Sequence, residues 1–300
     1  VAELTVLTEP AWHARRAAHV ERIRAWTVPH QERRSRGEKH PVLDFLFTYY
    51  SHRPAHLERW HPGAGVALAG ESAREYLRWP AYAETPAGVT VDLTALPESR
   101  LRSARFIRDL LSATASRSPR LGCFGLHEWA MVYRQPEPDI RHVDWPLRLG
   151  AAGTDEVVET QTIKCSHFDA FRFFTEPARP LNTLEPSRDR QIALEQPGCL
   201  HATMDLFKWA YKLDPYTPSD LVADCFELAS DVRELDMRAS PYDLSALGYA
   251  PIPIETEHGR ADYARTQATF ARRAEPLRTH LITLCTQLTT SNPRVLNPEH

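Results

Sequence analysis

Apolar residues recur at three- and four-residue spacing along most of this chain, a period that allows little but helix. Trp12, Ala17, Val20, Ile23 and Trp26 mark the first segment, with Thr8 as its cap and Pro10 in its first turn. Pro29 is expected to interrupt it, leaving QERRSRGEK as a solvated turn. Leu43, Leu46, Phe47 and Tyr50 repeat the stripe, and Pro54 opens a short helix that His61-Pro62-Gly63 closes. A helix over 97–115 should turn Leu101, Phe106, Leu110 and Leu111 inward and carry Arg100, Arg102, Arg105 and Arg108 on its face. Three more are predicted over 200–212, 219–238 and 260–289, the last kinked or split at Pro276.

The stretch 120–175 reads differently. LRLG and EVVETQTIKCSHFDAFRFF mix β-branched and aromatic residues with partial alternation, which predicts two or more strands. Val89-Thr90-Val91 adds strand character to a loop-rich 64–95. The expected class is predominantly α with a small central β-sheet, that is, α+β. Three hundred residues suit one compact domain or one body of two lobes, 1–120 and 121–300.

Charge divides along the same line. Residues 1–120 hold 18 Lys or Arg against 13 Asp or Glu, while 121–300 hold 18 against 26. A weakly basic front and an acidic back do not make a strong non-specific DNA binder, although a local basic face is compatible with them. No apolar run reaches membrane-spanning length, and the N-terminus lacks a basic start followed by an apolar core. The five cysteines are scattered, odd in number and without a CxxC pair. Free thiols in a reducing cytoplasm, away from the membrane, are the expectation.

Several short motifs carry chemistry. LGCFGLHEWAMVYR brings His127 beside Glu128, but Met131 stands where a zincin would place its second histidine. CSHFDAFRFF puts His167 and Asp169 two apart, so on a strand they would share a face as an acid–base or ligand pair, with Phe171 continuing it. EQPGCLHATMDL sets His201 and Asp205 one helical turn apart. Asp220, Asp224, Glu227 and Asp231 form a carboxylate stripe, read here as a salt-bridged face with Arg233 and Arg238 nearby. Around Pro54, Tyr49, His52, Arg53, His56, Trp60 and His61 suggest a mixed aromatic and cationic pocket edge. There is no GxGxxG, no Walker A loop and no GxSxG elbow.

KHPVLDFLFTYYSHRPAHLERWHPG, LGCFGLHEWAMVYR, CSHFDAFRFFTEPARPLN, EQPGCLH and SDLVADCFELASDVRELDMRASPYDL resemble an actinobacterial family labelled 3-methyladenine DNA glycosylase, from about residue 5 to 290. The helix–hairpin–helix of well-understood alkyladenine glycosylases is absent: Gly63-Ala64-Gly65 follows His-Pro and enters no clear helix. The resemblance implies a DNA-repair hydrolase that removes an alkylated purine from DNA or a nucleoside. Such chemistry needs an aromatic slot and a carboxylate beside the developing sugar cation. Asp169 would be that carboxylate, His167 would orient it or a water, and His127 and Glu128 would form the opposite wall. Tyr49, Tyr50, Arg53, Trp60, Trp129, Tyr133 and Phe171 are the substrate-binding candidates. No cofactor is required on this reading. The alternatives are a metal-dependent enzyme for a small molecule, with a divalent ion on some of His127, His142, His167, Asp169 and His201, and a non-enzymatic binder of a planar ligand.

Overall fold

The computed structural model describes residues 4–136 and 144–290. In chain order the elements are β1 (Thr5–Leu7), α1 (Glu9–Ser35), α2 (Phe45–Tyr49), α3 (Pro54–Leu57), β2 (Val66–Leu68), a 3₁₀ segment Glu71–Arg78, β3 (Tyr82–Thr85), β4 (Gly88–Val91) and α4 (Glu98–Ala115). Then follow α5 (Leu126–Ala130), α6 (Gly150–Thr160), α7 (Phe168–Phe171), a 3₁₀ segment Glu176–Leu181, α8 (Gln191–Leu194), α9 (Leu200–Tyr211), α10 (Ser219–Arg238), a 3₁₀ turn Ser245–Leu247 and α11 (Glu257–Thr290). The fold is predominantly α with one small four-stranded sheet, as the helical periodicity predicts. Among the described residues no helix is long and apolar enough to cross a membrane.

The chain forms two compact units. Unit 1 takes Val1–Leu111, Leu206–Glu227 and Leu277–His300; unit 2 takes Ser112–Asp205 and Leu228–Pro276. Unit 1 contains the sheet, in the order β1-β2-β4-β3. β1 runs parallel to β2 with Val6 opposite Ala67, and β3 and β4 form a hairpin that pairs Tyr82 with Val91 and Thr85 with Gly88. Gly88 sits at φ +123°, and a Cβ there would lie 2.3 Å from the carbonyl oxygen of Leu68, so a side chain is excluded on both counts. α1 buries Trp12, His19, Ile23, Thr27 and His30; the Trp12 indole donates to Ala69 O at 3.0 Å and meets Tyr76 edge-on.

Both prolines expected to interrupt helices lie inside unbroken ones, Pro29 in α1 and Pro276 in α11. Each removes one backbone hydrogen bond. Buried residues on both sides, Ile23, Thr27 and His30 in α1 and Phe270, Ala274, Leu281 and Leu284 in α11, hold the helices through that defect. Phe106, expected inward, is 38% exposed and meets Trp209 at the edge of α4.

Unit 2 corrects the strands expected over 120–175. Among the described residues this stretch holds helices and two isolated bridges, Leu147 with Tyr242 and Ile163 with Asn182. The valines that suggested alternation are helical: Thr154, Val157 and Val158 fall at i, i+3 and i+4 and are the buried residues of α6. His167 and Asp169 therefore share no strand face. His167 immediately precedes α7, and Asp169 lies in its first turn.

Candidate functional site

The polar heart of unit 2 is assembled from α5, α9 and α10. α10 buries Ala229, Val232 and Leu235 at helical spacing, and near its C-terminus the same inward face turns charged at Arg233 and Asp236, which are 1% and 0% exposed. α5 brings in His127 and Glu128, and the first turn of α9 brings in His201, all buried. Nε2 of His127 lies 3.0 Å from Oδ1 of Asp236 and 3.3 Å from Oδ2. Only the longer approach is aligned as a hydrogen bond; the buried Oδ1 accepts none from any described group. Arg233 donates to Oε1 of Glu128 at 2.8 Å and to Oδ2 of Asp236 at 3.3 Å.

A second layer adjoins the first. The His201 ring meets His127 edge-on at 4.5 Å and stacks on His167 at 5.3 Å. Nε2 of His167 lies 3.4 Å from Asp205, one turn along α9, and 3.7 Å from Glu195. These side chains are almost wholly buried, where an uncompensated charge would be costly. Burial pulls the His127 imidazolium down, but the charge and hydrogen bond of Asp236 outweigh it and leave the pKa raised. His201 goes the other way: burial, reinforced by neighbouring His127, drives it well below its ordinary value and keeps it neutral.

His127 and His201 also line a cavity of about 100 Å³. Its floor includes Cys165, Ser166, Gln196 and Cys199, all buried, and its outer wall holds Arg120, Lys164 and Thr183, all exposed. Burial raises the thiols of Cys123, Cys165 and Cys199, so the cavity is lined by neutral sulfur rather than thiolate. Oxygen and nitrogen atoms of His127, His201 and Asp236 lie within 4.8 Å of one another, close enough to share one cation. Two imidazoles and a carboxylate form a donor set for a first-row divalent ion such as zinc or iron.

The sequence candidates divide between the two units. His127, Glu128, His167 and His201 come together in unit 2. Asp169 is half-buried with Arg172 at 3.4 Å, and it does not line the cavity. Nor do Trp129, Tyr133 and Phe171: the Trp129 indole donates to Ala239 O, the Tyr133 hydroxyl bonds Glu159, and Phe171 packs on Phe174. Tyr49, Tyr50, Arg53 and Trp60 belong to unit 1, where Tyr49 stacks on Phe45, Tyr50 meets Phe207 edge-on, Trp60 is buried and Arg53 is exposed at the start of α3. His142 lies outside the described residues. The carboxylate stripe is ion-paired, Arg22 with Asp224 and Glu227 and Arg273 with Asp231.

Asp236 and Glu195 escaped the sequence reading, and Arg233, expected beside the carboxylate stripe, instead binds Glu128 and Asp236. Their signal was weak but present: Arg233 and Asp236 follow Val232 at one and four residues, so they extend an apolar stripe rather than the acidic one. No family model, curated protein or solved structure matches this chain.

Proposed function

We propose that unit 2 carries a metal-dependent enzyme site for a small molecule, with one divalent cation on His127, His201 and Asp236. The observation that supports this most is the buried Asp236 Oδ1, 3.0 Å from an imidazole nitrogen yet accepting no hydrogen bond from the described residues. Two ligands of one cation stand about 3 Å apart when each lies about 2.1 Å from it at roughly a right angle. Three protein ligands would leave coordination positions open, and His127 and His201 both line the cavity. A bound ion supplies Lewis acidity, to a water or to a substrate oxygen. The chain supplies the rest. Arg233 engages Oδ2 of Asp236 and leaves Oδ1 to the cation, while Glu128 holds Arg233 in place. Five free cysteines suit a reducing cytoplasm.

The test is elemental analysis of protein reconstituted anaerobically with zinc, iron(II) or manganese(II). Wild type is expected to keep about one ion per chain after desalting, and His201→Ala and Asp236→Asn to weaken retention at least tenfold, with helical content unchanged by circular dichroism. A wild-type protein that retains none of the three ions overturns the reading.

A second reading follows from the same pair of residues. His127, with Asp236 at 3.0 Å, is arranged as a general acid–base without a metal, and it fits the base-removing hydrolase that the resemblance implies. Metal-free protein that releases free base from methylated DNA, with loss in His127→Gln, would favour it over the first.

A further inference from the structure

We infer that Arg120 and Lys164 form an anion-recognition pair at the mouth of the unit 2 cavity, and that its ligand is a small molecule with a carboxylate or phosphate group. The inference deepens the metal-site reading and rests on it for the identity of the cavity floor.

Both cations line the cavity, both are exposed, and neither makes an ion pair with any described residue. Other arginines of unit 2 are held by carboxylates, Arg134 by Glu159, Arg148 by Glu255, Arg233 by Glu128, Arg238 by Glu234 and Arg273 by Asp231, or by carbonyl oxygens, as Arg117 is by that of Glu195. The backbone that carries each free cation is braced by a buried carboxamide. The amide of Arg120 donates to Oε1 of Gln196 at 2.8 Å, and Nε2 of Gln196 returns a bond to Arg120 O at 3.2 Å. Gly198 packs so closely on this clamp that a Cβ there would lie 2.6 Å from Arg120 O. The amide of Cys165, next to Lys164, donates to Oδ1 of Asn182 at 2.8 Å, and Nδ2 of Asn182 donates to Cys165 O at 2.9 Å. Ile163, on the other side of Lys164, is bridged to Asn182. Gln196 and Asn182 are 5% and 7% exposed. Each clamp satisfies backbone groups that would otherwise need water, and each fixes the root of a long cationic side chain at the rim.

The chemistry of the cavity selects the ligand. A guanidinium offers a planar fork to two oxygens and an ammonium offers a point charge, a combination suited to carboxylate or phosphate. Among the described lining residues the only lysine or arginine side chains are Lys164 and Arg120 themselves. An anionic group therefore stays at the mouth, while the rest of the molecule reaches toward His127 and His201. A cavity of about 100 Å³ confines that reach to a small molecule.

The experiment titrates inorganic phosphate and acetate, separately and at constant ionic strength, into zinc-loaded and metal-free full-length protein. Wild type, Arg120→Gln, Lys164→Gln and the double variant are compared by calorimetry. Both side chains are exposed, so the variants should fold; thermal unfolding confirms it. At least one anion is expected to bind wild type, and each single variant to weaken it about tenfold, the double variant more. Preference for phosphate assigns a phosphoryl ligand, and preference for acetate a carboxylate one. Binding of neither anion, or equal binding to wild type and double variant, overturns the inference. Metal retention is read in the same samples. Protein that takes up no metal yet loses anion binding in the variants keeps this inference and drops the metal-site reading.

Discussion

His61 shows how one buried side chain ties stability to pH. It is 7% exposed in unit 1, accepts or donates one hydrogen bond at 2.9 Å to the Tyr82 hydroxyl, and is ringed by Tyr76 and Trp79. Burial, with the charges of Arg59 and Arg78 adding to it, brings its pKa down to about 4. The unfolded chain protonates this ring near pH 6.5 and the folded one resists until about pH 4. Its contribution to stability is therefore complete above pH 6.5, falls as pH drops, and levels off below about 4. About 2 kcal/mol should be lost by pH 5. Urea unfolding at pH 7 and pH 5 measures this, and His61→Gln should flatten the difference by about that amount. An unchanged pH response in the variant would refute the assignment.

At the scale of elements, Pro29 and Pro276 are the instructive cases. A proline inside a helix costs about 3 kcal/mol in isolation, yet α1 and α11 continue through theirs. Tertiary burial of the inward face overrides the local signal, as it does wherever a long helix packs against a core. Pro29→Ala restores the missing donor, and it should raise the urea midpoint by an amount equivalent to about 1–3 kcal/mol; a lower midpoint would mean that the ring itself packs. The same competition decides what the sequence reveals. The helices at 97–115, 200–212 and 219–238 are legible because their apolar positions recur every three or four residues. The strands expected over 120–175 are absent among the described residues, because β-branched valines suit a helix when they fall at i+3 and i+4, as Val157 and Val158 do. His127, Glu128, His167 and His201 are legible as chemistry from residue type alone. Asp236 is not, because its role depends on which face of α10 is buried, and periodicity ranks an aspartate as solvent-facing.

At the scale of the whole molecule, two units draw on one discontinuous chain, and α9, α10 and α11 each give residues to both. The candidate ligands of the cation all belong to unit 2. A ligand that binds only the folded state stabilises it by mass action, and about 4 kcal/mol follows at a thousandfold excess over its dissociation constant. Hydrogen exchange with zinc and with a chelator should thus show slower exchange with metal at α5, the start of α9 and the end of α10. A change confined to the sheet of unit 1 would count against the proposed ligands.

The two carboxamide clamps have a consequence for where such a protein can work. Asn182 and Gln196 hold the cavity rim through groups that neither gain nor lose a proton across the biological range. Acid or alkali can alter the occupants of this doorway, but the doorposts are indifferent to both.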